Sequence, residues 1–286
     1  MKSRFIVNPR SGRAIRALAE VERFARAHGA GIVLTERPGH ASGLARQALA
    51  DGCNLVVAVG GDGTMNEVAT ALIDTPATLG LIPCGSGDGL GRQLRIHGSI
   101  TRALHLLHQG RPRQIDTATA NGRPYFTTAG VGFEAEISQR FNRLERRGFA
   151  SYLMTSAAAL RGWEAQEYVV THGDLREVFR AFTLTVANAG QYGNGAQIAP
   201  SARIDDGLLD LSAIPPVTFM NAVPLVFRLF EGTIGGATGV AIRRGARFML
   251  ERAQPGLFHT DGEVHSAGTT IEFAVRPASL RVMCPG

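Results

Sequence analysis

The sequence predicts an α/β N-terminal domain with an open parallel sheet, followed by a C-terminal β-sandwich-like domain with helical insertions. Three observations predict it. Through residues 1–115, short apolar runs alternate with stretches of helical periodicity. From Ile115 onward, period-two alternation and hairpin signals take over. The length of 286 residues is enough for two domains of ordinary size. The domains are accordingly placed at 1–115 and 116–286.

Residues 4–8 (RFIVN) are a short apolar run ending in a loop, hence a first strand. Residues 14–28 carry Ile15, Leu18, Val21 and Ala25 at near-helical spacing. Residues 31–35 (GIVLT) give a second strand and 39–50 a second helix. Residues 55–59 (LVVAV) are apolar throughout, as expected of a parallel strand buried on both faces. Met65, Val68, Ala69, Leu72 and Ile73 then form a helical stripe; 79–82 is a strand and 100–109 a helix. This repetition implies right-handed crossovers and a doubly wound sheet.

In the second half, Asn121-Gly122 between apolar runs signals a two-residue hairpin turn. Phe182, Leu184 and Val186 alternate, as do Ile271, Phe273 and Val275, then Leu280 and Val282. Two helical stretches, 150–163 and 218–231, interrupt the strands. Both are expected to pack on the sandwich, with Pro224 kinking or interrupting the second. The alternative for their apolar residues is a lipid cleft or a membrane surface.

Composition narrows the classes. Hydrophobic residues at 44% and charged residues at 19% fit a globular chain with a real core. Three cysteines, Cys53, Cys84 and Cys284, make no disulfide framework, so a reducing cytoplasm is expected. The N-terminal apolar run is too short for a signal peptide, and no stretch approaches the roughly 20 apolar residues of a membrane span. A net charge of +6 suits an anionic membrane or a polyanionic nucleotide. No Lys/Arg-rich block supports nucleic acid, and none is expected as a partner.

The most informative segment is residues 59–68 (VGGDGTMNEV), between an apolar strand and an amphipathic helix. Its glycines let backbone approach a bulky anion, and the helix N-terminus offers free N–H groups. Asp62 suits holding Mg²⁺ or orienting phosphates. A plain strand-to-helix turn is the competing reading, with Thr64-x-x-Glu67 as a capping box. No Lys follows, so this is not a Walker loop, nor is it G-x-G-x-x-G. Residues 83–89 (PCGSGDG) and 8–12 (NPRSG) follow two further strands. Loops after the strands of a parallel sheet share one edge, which favours a nucleotide crevice. His259, His265, His105 and His108 complete no metal cluster and read as surface or cap residues. Cys84 reads as a packed thiol.

With 130–135 (GVGFEA), 199–211 (APSARIDDGLLDL) and 260–263 (TDGE), these motifs run almost end to end. In order and spacing the chain resembles the diacylglycerol kinase catalytic family, which includes bacterial lipid kinases and the sphingosine and ceramide kinases. The resemblance implies an ATP-dependent lipid kinase that phosphorylates a lipid hydroxyl, diacylglycerol first among the substrates. It implies ATP contacts from Asn8, Pro9, Arg10, Ser11, Gly12, Thr35, Gly61, Asp62, Gly63, Thr64, Met65, Asn66, Glu67 and Ser86. It implies catalytic roles for Glu263, as general base, and Asp62. It implies a structural Mg²⁺ near Asp206, completed by the carbonyls of Arg203 and Leu208. ATP and Mg²⁺ are the expected cofactors. The expected partner is a lipid at a membrane surface, reached by peripheral contact, with a homodimer left open. Asp88 stands where the family commonly has Asn, Gly89 where diacylglycerol-like members often have Asp, and Glu134 where Asp is usual. An NAD kinase-like enzyme shares the GGDGT loop and is the enzymatic alternative; residues 8–12 and 83–89 argue against it. A non-catalytic nucleotide- or lipid-binding protein is the other.

Overall fold

The computed structural model describes residues 2–85, 87–142, 159–160 and 162–286. The chain forms two compact units. One is Met1–Asp116 with Ala278–Gly286, the other Thr117–Pro277.

The first unit contains β1 (Ser3–Val7), α1 (Ala14–Ala27), β2 (Gly31–Leu34), α2 (His40–Ala50), β3 (Leu55–Gly60), α3 (Asp62–Leu72), β4 (Thr78–Pro83), α4 (Gly89–Gln93) and α5 (Ile100–Gln109). Its strands are parallel in the order β2-β1-β3-β4. The chain therefore winds outward from β1 in one direction and then the other, which leaves a topological switch at the carboxyl ends of β1 and β3. There the Asn8 amide donates to Val59 O at 2.9 Å. β3 and β4 are buried along their whole length, as their unbroken apolar runs require.

Two features depart from the sequence expectation. The buried face of α1 is Ala14, Ala17, Val21 and Ala25, while Ile15 is exposed. α2 likewise presents Ala41, Ala45 and Ala48. In α1, Val21 and Ala25 of the expected face are buried and Leu18 is half-buried, whereas Ile15 turns outward and the small Ala14 and Ala17 complete the inner face. Second, residues 278–286 belong with the first unit. Within β16 (Thr270–Cys284), Arg281 and Val282 pair in parallel with Thr78 and Leu79 of β4. The Ala278 amide donates to Asp116 Oδ1 at 2.7 Å, and the Asp74 amide to Ser279 O at 2.7 Å. A linear division at 115/116 misses this return.

The second unit is a sandwich. One antiparallel sheet has the order β12-β11-β10-β7-β14-β15. It is built from β7 (Thr128–Gly132), β10 (Thr183–Ala187), β11 (Leu209–Ile214), β12 (Ala241–Gly245), β14 (Gly256–Thr260) and β15 (Glu263–Ala267). The other joins the first part of β16 to β13 (Arg247–Arg252), β8 (Gln166–His172) and β9 (Leu175–Ala181). Val131, Leu184, Val186, Leu211 and Phe258 of one sheet pack with Tyr168, Phe248, Leu250, Ile271 and Phe273 of the other. β5 (Arg111–Ala120) enters this unit and turns into β6 (Arg123–Tyr125) through Asn121-Gly122. Both turn residues have positive φ, 49° and 75°, as a type I′ turn demands.

α6 (Phe133–Asn142) follows β7 directly. The helix expected at 150–163 lies largely outside the described residues. α7 (Phe219–Glu231) runs through Pro224 as one helix, so the interruption that was one of the two expected outcomes does not occur. Leu225 and Leu229 pack on a satellite core with Phe182, Ile198 and Ile214. The expectation that α7 is simply core holds for that face alone. Met220 and Val223 are 91% and 76% exposed, Phe227 62%, with Val226 and Phe230 also exposed. At 100° per residue these five fall within an arc of about 120°, away from Leu225 and Leu229. No described helix is long and apolar enough to cross a membrane.

Candidate functional site

In the first unit, three loops meet at the switch point. Asn8 ends β1. Its Nδ2 donates to Thr64 Oγ1 at 3.0 Å, and its Oδ1 accepts from the Arg10 amide at 3.0 Å. The Ser11 amide donates to Asn8 O at 3.1 Å, closing a tight turn over Pro9 and Arg10. Gly12 has φ +47°, and a Cβ there would stand 2.1 Å from Cys84 O. A Cβ on Gly61 would approach Ser11 Oγ at 3.0 Å, and one on Gly85 would reach Gly61 Cα at 2.9 Å. The glycines are thus required by backbone approaching backbone. Thr35 lies at the same edge, its amide bonded to Val7 O at 2.9 Å.

α3 begins without a side-chain cap, at Gly61. The first helical bond is Met65 N–H to Gly61 O at 3.1 Å. The amides of Asp62, Gly63 and Thr64 precede it and point off the helix end, the geometry that receives anions. The Thr64–Glu67 capping box is not formed. Glu67 instead caps α2: its Oε1 accepts from the Gly39 amide and its Oε2 from the Ala41 amide, both at 2.9 Å. A carboxylate at a helix N-terminus is favoured by the free amides and by the dipole. Met65 is buried in the core. Glu67 and Met65 therefore shape the loop, whereas Gly63 is open to solvent. Asn66 is half-buried in the second turn, and Ser86 lies outside the described residues.

Asp62 is held by the second loop. Its Oδ2 accepts from the Asp88 amide at 3.1 Å and its Oδ1 from the Gly89 amide at 2.9 Å, the start of α4. A Cβ on Gly87 would lie 2.6 Å from Asp62 Oδ2. Asp88 has φ +51° and is 4% exposed. Burial, and then the nearby Asp62 carboxylate, push its carboxyl from 3.8 up to about 6; Arg92 and Arg13 oppose this. Among the described residues its Oδ1 makes no hydrogen bond of good geometry. Cys84 is a packed thiol, as expected, pushed up to about 11 by burial. The sequence reading overlooked Arg13 and Arg92. Arg13 follows NPRSG directly and Arg92 lies one helical turn beyond Asp88, so proximity in sequence was the available signal.

In the second unit, Glu263 opens β15 and is exposed. It follows a two-residue turn, Asp261-Gly262, with φ of 48° and 83°. Thr260 and Glu263 pair across this type I′ hairpin. The turn is anchored on three sides. The Asp261 carboxylate accepts from the amides of Phe126, Thr127 and Thr128 at 2.8, 2.8 and 3.1 Å, and from the Thr127 hydroxyl. Burial pushes this carboxyl up, and the four donors counter it. Asn142 Nδ2, from α6, donates to Gly262 O at 2.9 Å. His259 Nδ1 accepts from the Gly262 amide at 3.2 Å.

His259 is buried, so the expectation of a surface residue fails; its ring accepts an amide of the hairpin turn instead. Its Nε2 lies 3.2 Å from Glu134 Oε1, a close contact without the geometry of a hydrogen bond. Thr185 Oγ1 reaches both Glu134 oxygens at 3.1 and 3.0 Å. Gly130 makes room, since a Cβ there would stand 1.7 Å from Glu134 Oε1. The GVGFE motif thus places a buried carboxylate behind His259. The sequence reading named Glu134 only as a departure, and the long sequence separation of the pair hid their contact.

Asp206 sits in the loop before β11. Its Oδ1 accepts from the Leu208 amide at 3.1 Å, and its Oδ2 accepts from Arg244. Arg203 lies 3.6 Å from Asp205. Asp210, directly across the β11–β12 ladder from Arg244, is 1% exposed. Burial raises its carboxyl and Arg244 opposes the rise. No cluster of three His, Cys, Asp or Glu side chains suited to a metal occurs among the described residues.

Comparison with known proteins places these features. Residues 2–120 match the diacylglycerol kinase catalytic domain, and residues 127–284 match the YegS C-terminal NAD kinase beta sandwich-like domain. A probable lipid kinase YegS-like of Pseudomonas savastanoi is 30% identical over 259 residues, covering 89% of this chain and 83% of that protein. Its counterpart in Pseudomonas aeruginosa is 32% identical over 259 residues, covering 89% and 84%. A crystal structure of a putative diacylglycerol kinase from Bacillus anthracis superposes with a TM-score of 0.83 over 99% of this chain and 95% of that one; at 20% identity it shows the shared fold.

Proposed function

Since the chain belongs to the lipid kinase family with a diacylglycerol kinase catalytic domain and a YegS-type C-terminal domain, we propose that it transfers the γ-phosphate of ATP to a lipid hydroxyl, with diacylglycerol the first substrate to test. The observation that carries this reading is the glycine loop at the topological switch. Its free amides and three converging loops suit a polyphosphate.

Asn8, Ser11, Gly12, Thr35, Gly61, Gly63 and Thr64 form the nucleotide-binding edge in this reading. Pro9 and Arg10 contribute through the turn that Asn8 closes. Asp62 keeps the second loop seated against the first. Mg²⁺, bound with the nucleotide, neutralises charge on the phosphates. Glu263 takes the proton of the lipid hydroxyl as that oxygen bonds to the γ-phosphorus; the bond from phosphorus to the bridging oxygen breaks, and ADP leaves. The hydrogen bonds that lock the Asp261-Gly262 turn support this role, because a base must be held to a fraction of an ångström.

A lipid acceptor also requires approach to a bilayer. The outward apolar face of α7, with Met220, Val223 and Phe227, is the surface this reading assigns to peripheral membrane contact.

The test is transfer from labelled ATP, with Mg²⁺, to a panel of lipid alcohols in mixed micelles, with NAD as a parallel acceptor. Label in a lipid and none in NAD supports the proposal. Label in NAD would favour the NAD kinase-like alternative, whose sandwich architecture the C-terminal domain shares. ATP binding with transfer to neither would favour a non-catalytic binding protein.

A further inference from the structure

The resemblance implies a divalent cation beside Asp206, yet the residues present are already neutralised from within the chain. A Mg²⁺ site needs near-octahedral oxygen donors with free lone pairs at about 2.1 Å. Both carboxylate oxygens of Asp206 already accept a hydrogen bond, and one of them accepts it from a cation. Oδ1 accepts from the Leu208 amide at 3.1 Å, and Oδ2 accepts from Arg244 Nη2. The same guanidinium presents Nε to Asp210 Oδ2 at 3.4 Å.

Arg244 is 42% exposed in its side chain, yet it is tied to a second carboxylate besides Asp206. It projects from β12 directly opposite Asp210 of β11. Asp210 is 1% exposed; among the described residues Ser201 Oγ lies 3.4 Å from its Oδ1, while its Oδ2 makes no hydrogen bond of good geometry and has the Arg244 guanidinium as the cation beside it. A carboxylate buried to this degree needs a counter-charge, and removing one partner of such a pair is costly. If Arg244 swung away to admit a cation at Asp206, Asp210 would lose its compensating charge. If it stayed, the cation would sit beside a guanidinium. Asp205, the acid beside Asp206 in sequence, is engaged with Arg203 at 3.6 Å.

We propose that Arg244 is the resident cation of this cluster, bridging the loop at Asp206 to the strand at Asp210 and replacing the structural metal that the family pattern implies. The loop carrying Arg203, Asp206 and Leu208 then folds without a divalent ion. This inference concerns stability and does not depend on the lipid kinase reading, so its tests read metal content and melting temperature, with no nucleotide present.

The experiment compares wild-type protein, Arg244→Met and Arg244→Lys after exhaustive dialysis against EDTA, with and without millimolar MgCl₂ or CaCl₂. Expected for the wild type are less than one equivalent of divalent metal by elemental analysis and a melting temperature that EDTA leaves unchanged. Arg244→Met melts several degrees lower and recovers on adding Mg²⁺ or Ca²⁺, while Arg244→Lys loses less. Asp206→Asn in the Arg244→Met background abolishes that recovery, which ties it to this site. A wild type that retains one equivalent of metal, or loses melting temperature on chelation, overturns the proposal. So does metal-free Arg244→Met as stable as the wild type. Should Arg244→Met fail to fold under every condition, the wild-type chelation result decides.

Discussion

His259 Nδ1 accepts the amide hydrogen of Gly262 at 3.2 Å, so a buried imidazole grips the turn from which Glu263 emerges. Behind the ring, Glu134 stands 3.2 Å from Nε2. The Gly262 bond orients the ring and ties it to the turn that precedes β15.

His259→Leu removes the acceptor, whereas His259→Asn can present Oδ1 to the same amide. The expected outcome is a fall in kcat on the order of ten- to a hundred-fold for Leu and a much smaller fall for Asn, with KM for ATP unchanged in both. Steady-state kinetics beside a melting curve check it. A loss confined to melting temperature would reduce His259 to packing.

Asp88→Asn tests the carboxyl at the second loop. Its folded pKa is raised, from 3.8 to about 6. A raised carboxyl favours the folded state below pH ~4, and that advantage is lost as pH climbs through 6. The Asn variant is therefore expected to be more stable than the wild type at pH 7.5, on the order of 3 kcal/mol at most, with the difference vanishing near pH 4. It also removes negative charge beside the phosphate edge, so ATP should bind more tightly at neutral pH. Urea titrations across that range, with calorimetry for ATP, read both effects. Equal stability at all pH values would show that Asp88 is already compensated.

Glu67→Ala deletes the cap that a side chain of α3 supplies to α2. Gly39 and Ala41 lose their acceptor, costing about 1–2 kcal/mol of stability. Affinity for ATP should change less than two-fold. A large loss of affinity with intact stability would return Glu67 to the nucleotide.

Phe227→Asp and Met220→Asp place charge on the outward face of α7. Both side chains are exposed, so melting temperature should hold. Co-sedimentation with vesicles and turnover on bilayer-embedded substrate should fall several-fold, while turnover of a short-chain soluble analogue stays unchanged. Unaltered vesicle binding would remove the helix from the membrane account.

Much of this arrangement was legible before any coordinates. The run LVVAV and the glycines after it announce a buried strand and a close backbone approach, and Asn121-Gly122 announces its turn. These are local signals, and local chemistry decides them. What escaped are relationships across long stretches of chain. Glu67 looks like a capping residue for Thr64, yet it caps a helix that begins 27 positions earlier, at His40. Leu280 and Val282 alternate like any sandwich strand, yet they complete the parallel sheet beside β4. The inner face of α1 is completed by Ala14 and Ala17, which carry too little hydrophobicity to stand out against Ile15. The role proposed for Glu263 rests on motif resemblance, whereas the contacts among Asp261, His259 and Glu134 appear only in the fold.

The most direct test of the central claim is a comparison of ATP binding and phosphoryl transfer in wild type and Glu263→Gln. The account predicts an ATP dissociation constant within about two-fold of wild type, and lipid phosphorylation lowered by at least the 10²-fold typical of losing a general base. A Glu263→Gln protein that phosphorylates lipid at the wild-type rate would contradict it.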